Sequence, residues 1–139
     1  MGSPRGEDLN PEAVARLPST HLWMAVSMSR VHQLPDPQCL PLYVLRPYAS
    51  GDEDGWLHLL QCAGFGGWNM GKINEKLADT ERRTGSRIIC FGNKIVAATF
   101  ASRMRLGCDV GQLDFVATHP RHRSKGLGRC VCTAVMKFF

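Results

Sequence analysis

Between positions 119 and 128 the chain reads His-Pro-Arg-His-Arg-Ser-Lys-Gly-Leu-Gly, a basic, glycine-punctuated turn between an apolar strand pattern and an apolar helical one. A helix N-terminus carries unpaired backbone N–H groups and the positive end of the helix dipole, so it binds phosphate wherever the backbone can come close. Gly126 and Gly128 remove side chains that would block that approach and tolerate unusual loop dihedrals. Arg123 and Lys125 add positive charge beside a bound anion, and Pro120, with no N–H to donate, suits the strand's exit. The charge distribution points the same way. Five of the seventeen basic residues (Arg121, Arg123, Lys125, Arg129, Lys137) follow Asp114, beyond which no acidic residue occurs. The other twelve balance the twelve acidic residues, so the excess belongs to an anion site rather than to a generally basic surface. Two familiar phosphate loops are excluded. A Walker loop ends Gly-Lys-Ser/Thr, whereas the order here is Lys125-Gly126-Leu127-Gly128. A dinucleotide fingerprint needs a third small residue where Val131 stands.

The elements that must hold this loop follow from spacing. Leu42, Tyr43, Val44 and Leu45 form a strand stopped by Arg46-Pro47. Ser50 and Glu53 have capping-box spacing at the start of a helix whose apolar face is Trp56, Leu59, Leu60 and Ala63. The run Gly64-Phe65-Gly66-Gly67 ends that helix, and Met70, Ile73 and Leu77 mark a second one behind an Asn69 cap. Residues 88–91 and 95–100 are strands joined at Gly92-Asn93, a pair that tolerates positive φ in a tight hairpin. Residues 112–118 form the next strand, with Leu113, Phe115 and Ala117 on one face and Gln112, Asp114, Val116 and Thr118 on the other. Leu127, Val131, Ala134, Val135 and Phe138 then recur at helical spacing. The expected class is α/β (α+β) in the order β-α-α-β-β-β-α, with residues 1–40, rich in proline, as a poorly structured extension before a domain at 41–139.

Composition sets the remaining bounds. With 44% hydrophobic and 21% charged residues over 139 positions, the chain is globular and fits one ordinary domain. No stretch approaches the roughly 18 apolar residues of a membrane span. Glu7, Asp8 and Glu12 precede the first apolar run, unlike a secretory signal. The six cysteines include no Cys-x-x-Cys pair, so no zinc or redox motif is expected, and free thiols in a cytoplasmic, reducing setting are the reading.

At residues 116–128 the chain resembles the acetyl-CoA-binding motif of the GNAT superfamily: a hydrophobic strand, His-Pro, then Arg-x-x-Gly-x-Gly. Leu45-Arg46-Pro47 with Asp52-Glu53 also resembles the opening strand and first helix of many members. The resemblance implies a mixed, mostly antiparallel sheet flanked by helices, and acetyl-CoA as cofactor. It implies backbone contacts from Val116 and Thr118 to the pantetheine arm, and a diphosphate held by Arg123, Ser124, Lys125, Gly126, Leu127 and Gly128. The implied reaction is direct attack of a deprotonated amine, from a small molecule or a peptide, on the thioester. Members often carry a carboxylate on this central strand, which makes Asp114 the candidate base. His119 and His122 belong with the phosphate end of the site. Trp56, Phe65, Trp68 and Met70 lie where many members shape the acceptor pocket, although core or lid packing accounts for most of them.

The family pattern continues past the motif-bearing helix with a strand, a helix and further strands, whereas the chain stops at Phe139. Either it is a fragment whose extension carries strand-helix-strand, or a partner, such as a second copy in a homodimer, completes the sheet and covers its open edge. Two readings of other classes compete: a module binding nucleic-acid phosphates, and a catalytically silent scaffold. No aromatic residue is interleaved among Arg121, Arg123, Lys125 and Arg129 for base stacking, which counts against nucleic acid.

Overall fold

Tyr43–Pro47, Arg87–Phe91, Lys94–Arg105 and Asp109–Thr118 are strands β1 to β4 of one sheet, in a structure (a computed structural model) that describes residues 25–105 and 109–139. The spatial order is β1-β2-β3-β4, and every described pairing is antiparallel. Two-residue hairpin geometry joins β2 to β3, with Phe91 opposite Lys94 and only Gly92 at positive φ (58°). The helices are α1 (Met28–Gln33), α2 (Glu53–Cys62), α3 (Met70–Leu77), α4 (Thr80–Gly85) and α5 (Leu127–Phe138).

Both sheet faces are covered, which is why Ile88 and Ile89 are adjacent and both fully buried. On one face Trp56, Leu59 and Leu60 of α2 and Ile73 and Leu77 of α3 pack with Ile88, Ala98, Phe100 and Ala117. The Trp56 ring stacks on Phe100 with centroids 4.2 Å apart, the offset geometry that aromatic pairs favour. On the other face Leu127, Cys130 and Val131 of α5 pack on Ile89, Val96 and Ala97. The Asn69 cap forms as expected, its side chain accepting the Lys72 N–H at 2.9 Å.

The start of α2 differs from expectation. Ser50 does not cap it. The Arg46 guanidinium grips the Asp52 carboxylate with two 2.8 Å bonds, and Asp52 also accepts the Ala49 N–H. Glu53 accepts from the Gly51 N–H and the Tyr48 hydroxyl. A charge-assisted fork outcompetes a neutral hydroxyl cap, so the loop closes on two carboxylates. Its hydrogen bonds from Arg46 hold Asp52 below the ordinary carboxylate range.

Two short helices are missing from the expected order. The span read as poorly structured contains α1, capped by Ser27 and burying Val31. The sequence of α4 is Thr-Glu-Arg-Arg-Thr-Gly, capped by Asp79, and its one buried residue is Gly85. Neither carries an apolar stripe, so periodicity could not reveal them. The expectation for residues 1–24 lies outside the described residues.

Gly85 is where α4 meets both β3 and the end of α5. A Cβ there would lie 2.8 Å from the Ala101 Cβ and would clash with the edge of the Phe138 ring. Gly85→Ala should therefore destabilise by about 1–3 kcal/mol through overpacking, read as a lower urea midpoint; an unchanged midpoint would show that this contact gives way freely.

Candidate functional site

Strand β4 is not evenly pleated. Ala98 lies opposite Ala117 and Phe100 opposite Asp114, so Phe115 and Val116 together face only Thr99. This is a β-bulge, and Phe115 takes a φ of +52° to make it. The Phe115 ring is held edge-on by Trp68 (4.7 Å) and Phe65 (5.6 Å), while the Thr99 hydroxyl donates to the Asp114 carbonyl at 3.1 Å. The extra residue breaks the two-residue alternation. Val116 is 41% exposed and lines a cleft beside the start of α5. Asp114 is turned toward α3, where Lys76 Nζ stands 2.9 Å away and the Ser102 hydroxyl donates at 3.3 Å. The expectation that Asp114 and Val116 share a strand face is thus corrected: the bulge puts a backbone step between them. Arg82 Nε extends the Asp114 cluster by donating to Ser102 Oγ at 3.2 Å.

Past β4, His119 donates its backbone N–H to the Val96 carbonyl at 2.7 Å, and a single 3-10 turn spans Pro120–His122. The chain then reaches α5 through Ser124 (φ 63°) and Gly126 (φ 74°), both left-handed. Such backbone costs a side-chain-bearing residue roughly 1–2 kcal/mol, a strain that Ser124 carries and that Gly126 avoids. No side chain caps α5 at Gly126, and the first helical bond runs from the Cys130 N–H to the Gly126 carbonyl. The N–H groups of Leu127, Gly128 and Arg129 therefore have no intrahelical acceptor.

Leu127 and Gly128 line a cleft of about 320 Å³ together with Val116, Thr118, His122, Arg123, Ser124 and Gly126. Seven of the eight residues expected to hold the cofactor line it; Lys125 does not, its exposed side chain standing outside the wall. The two glycines act differently. A Cβ on Gly126 would meet nothing within 4 Å, so this position keeps the cleft open and satisfies the left-handed turn. A Cβ on Gly128 would meet Thr118 Oγ1 at 3.6 Å, ordinary contact, so helix–strand packing does not by itself demand glycine there. Arg123 folds back, its Nε donating to the Thr118 carbonyl at 3.3 Å. A diphosphate suits this wall: unengaged amides, uncapped helix start and adjacent basic side chains supply what it needs.

Two histidines expected at the phosphate end of the site support it through contacts that the sequence did not reveal. His122 forms part of the wall, and its Nδ1 lies 2.8 Å from the Tyr43 hydroxyl of β1. Phe91 (5.1 Å) and His119 (5.7 Å) pack around its ring. With 79 residues between Tyr43 and His122, no local pattern could pair them. His119 is buried, and its Nδ1 accepts the Arg121 N–H at 3.2 Å, which shapes the turn. Burial, followed by the positive charge of Lys94 and the nearby His122, His58 and Arg121, pushes His119 below the usual imidazole range. Among the described residues no cluster of His, Cys, Asp and Glu could hold a metal ion.

No family model matches this chain, and no curated protein matches it in sequence. Solved structures do match in fold. One is the GCN5-related glucosamine N-acetyltransferase region of a fungal multi-domain β-N-acetylglucosaminidase, at 20% identity and a TM-score of 0.60 over 70% of this chain. A Trypanosoma brucei acetyltransferase matches at 23% identity and 0.53 over 68% of the chain. The glucosamine-6-phosphate N-acetyltransferase of Arabidopsis thaliana matches at 20% and 0.54 over 69%. The chain spans 12% of the fungal protein and 72% and 73% of the other two. The fold is that of the GNAT N-acetyltransferases, a sheet flanked by helices as the resemblance implied.

Because the folded pKa of His119 is depressed, the unfolded chain binds more protons than the native one below the ordinary imidazole range. Its contribution is intact above about pH 6.5 and is lost as pH falls toward the folded value. His119→Asn, which keeps an acceptor for the Arg121 N–H, should flatten the fall in melting temperature between pH 7 and pH 5; an unaltered slope would remove His119 as its source.

Proposed function

We propose that this chain binds acetyl-CoA and belongs to an N-acetyltransferase acting on a primary amine. The observation that carries the reading is the uncapped, unengaged start of α5 opening into a cleft walled by the bulged strand β4. The amides of Leu127, Gly128 and Arg129 would hold the diphosphate, with Arg123 beside it and Lys125 and Arg129 contributing field from outside the wall. Bound acetyl-CoA would supply an activated acetyl thioester. Val116, at the exposed outer edge of β4, would offer backbone groups to an extended ligand arm in the manner of an added strand. The bulge supports this reading further: it takes Phe115 and Val116 out of the regular β3 ladder, so their backbone groups would be available to a polarised carbonyl oxygen.

Asp114 is the proposed base. It sits one residue before the bulge, and its carboxylate is oriented by Lys76 and Ser102. The acceptor proposed is a small-molecule amine, with amino sugars first, because two of the similar solved structures are named for glucosamine substrates. A peptide amine is the second class to assay. Among the described residues no helix is long and apolar enough to cross a membrane, and a cytoplasmic setting is part of the proposal.

Acetyl-CoA at a hundredfold excess over its dissociation constant should stabilise the chain by about 2.7 kcal/mol, seen as a raised melting temperature. Gly126→Leu should abolish that rise, and Gly126→Ala, whose Cβ meets no neighbour but whose left-handed backbone costs about 1–2 kcal/mol, should lower the melting temperature of the free chain and weaken the rise; an unchanged rise in both would refute the cradle. With thiol release from an amine panel as the assay, Asp114→Asn should lower kcat by about 10²–10⁴ at unchanged KM for acetyl-CoA. A variant that is merely less stable at normal kcat would make Asp114 a structural ion-pair member.

A further inference from the structure

Residues 34–40 run alongside α5 as a strap that touches it at Lys137 and Cys130. It is held at one end by Val31 of α1, which is buried, and along its length by the Lys137–Asp36 ion pair at 3.0 Å. At the other end the Cys39 and Cys130 sulfurs are 3.1 Å apart, although 91 residues separate them in sequence. Cys130 is buried in the first turns of α5 against Ile89, Val96 and Leu127, while Cys39 is half-buried at the edge of the same cluster. All five described cysteines are free thiols.

We infer that Cys39 and Cys130 form a reversible disulfide modification site that ties the strap to the first turns of α5 when a disulfide oxidant such as oxidised glutathione is present. A covalent S–S bond is about 2.05 Å long, so the sulfurs need to close by about 1 Å. The half-buried Cys39 is the entry point. Its thiolate attacks one sulfur of oxidised glutathione, forming a mixed disulfide and releasing one glutathione thiolate. Cys130 then loses its proton to solvent, attacks the Cys39 sulfur, and expels the second glutathione. The balance is two protein thiols and one glutathione disulfide giving one protein disulfide and two glutathione thiols. Burial, and secondarily the Cys39 contact, push the Cys130 thiol up to about 12. Ring closure needs the Cys130 thiolate and therefore quickens as pH rises. The site stands apart from the proposed acetyl-CoA binding, because neither sulfur lines the cleft.

The test incubates the full chain in glutathione buffers of graded oxidation, quenches with an alkylating agent and maps the peptides by mass. The expected result is one intramolecular link between the Cys39 and Cys130 peptides, reversed by excess reduced thiol, with the other cysteines still alkylated. Its rate of closure should rise about tenfold per pH unit below the Cys130 pKa, and oxidation should raise the melting temperature. Cys39→Ser should abolish both link and rise, and Cys130→Val, which keeps an apolar side chain in the buried position, should leave Cys39 as a persistent glutathione adduct. Both cysteines remaining alkylated in oxidised glutathione, or a link through any other cysteine, would overturn the assignment. A failure here would leave the acetyl-CoA stabilisation of the wild type untouched.

Discussion

The packing of α5 on the sheet is the constraint from which the site follows. Leu127 and Val131 are buried against Ile89, Val96 and Ala97, so the helix must lie across β2 and β3 with its first turn beside the end of β4. Burying such side chains is worth roughly 1.5–3 kcal/mol each, far more than a single cap provides. The helix can therefore start without a side-chain cap and leave its first amides to whatever enters the cleft. A side-chain cap would add slight stability and would occupy one of the amides that an anion could use.

The bulge in β4 divides the strand into two kinds of surface. Before it, Asp114 belongs to a polar cluster with Lys76, Ser102 and Arg82 on the side of α3 and α4. After it, Val116 and Thr118 belong to the cleft beside α5. Phe115 pivots between them, and its left-handed backbone is offset by edge-on contacts with Trp68 and Phe65. Residues read as acceptor-pocket candidates are thus mostly core here: Trp56 and Trp68 are buried, and Phe65 and Met70 pack against the same cluster. Their effect on any acceptor would pass through the position of the bulge.

Support for the cleft comes from the far edge of the sheet as well. Tyr43 on β1 reaches His122 across the end of β2, with Phe91 packed against both rings. The loop after β4 is therefore braced from β1, and His119 ties it to β3 through Val96. Histidines that could be taken for acid–base groups serve here as wall and brace.

Local chemistry was legible in the residues alone. The Asn69 cap, the buried face of α2, the turn at Gly92 and the left-handed, glycine-dependent approach to α5 each depend on a few neighbouring residues, and those neighbours are written side by side. The uncapped, glycine-lined start of α5 was legible for the same reason, since a helix start, two glycines and clustered charge are all local. Tertiary structure alone decided the rest. The side of β4 that Asp114 faces depends on register against β3, and one extra residue there inverts an alternation that a uniform pleat would predict. The Asp52 fork displaced Ser50 because Arg46 arrives from a strand held by its partners. The pairs Tyr43–His122 and Cys39–Cys130 exist because both sheet faces are buried and bring distant segments together, a cooperative outcome that no window of sequence contains.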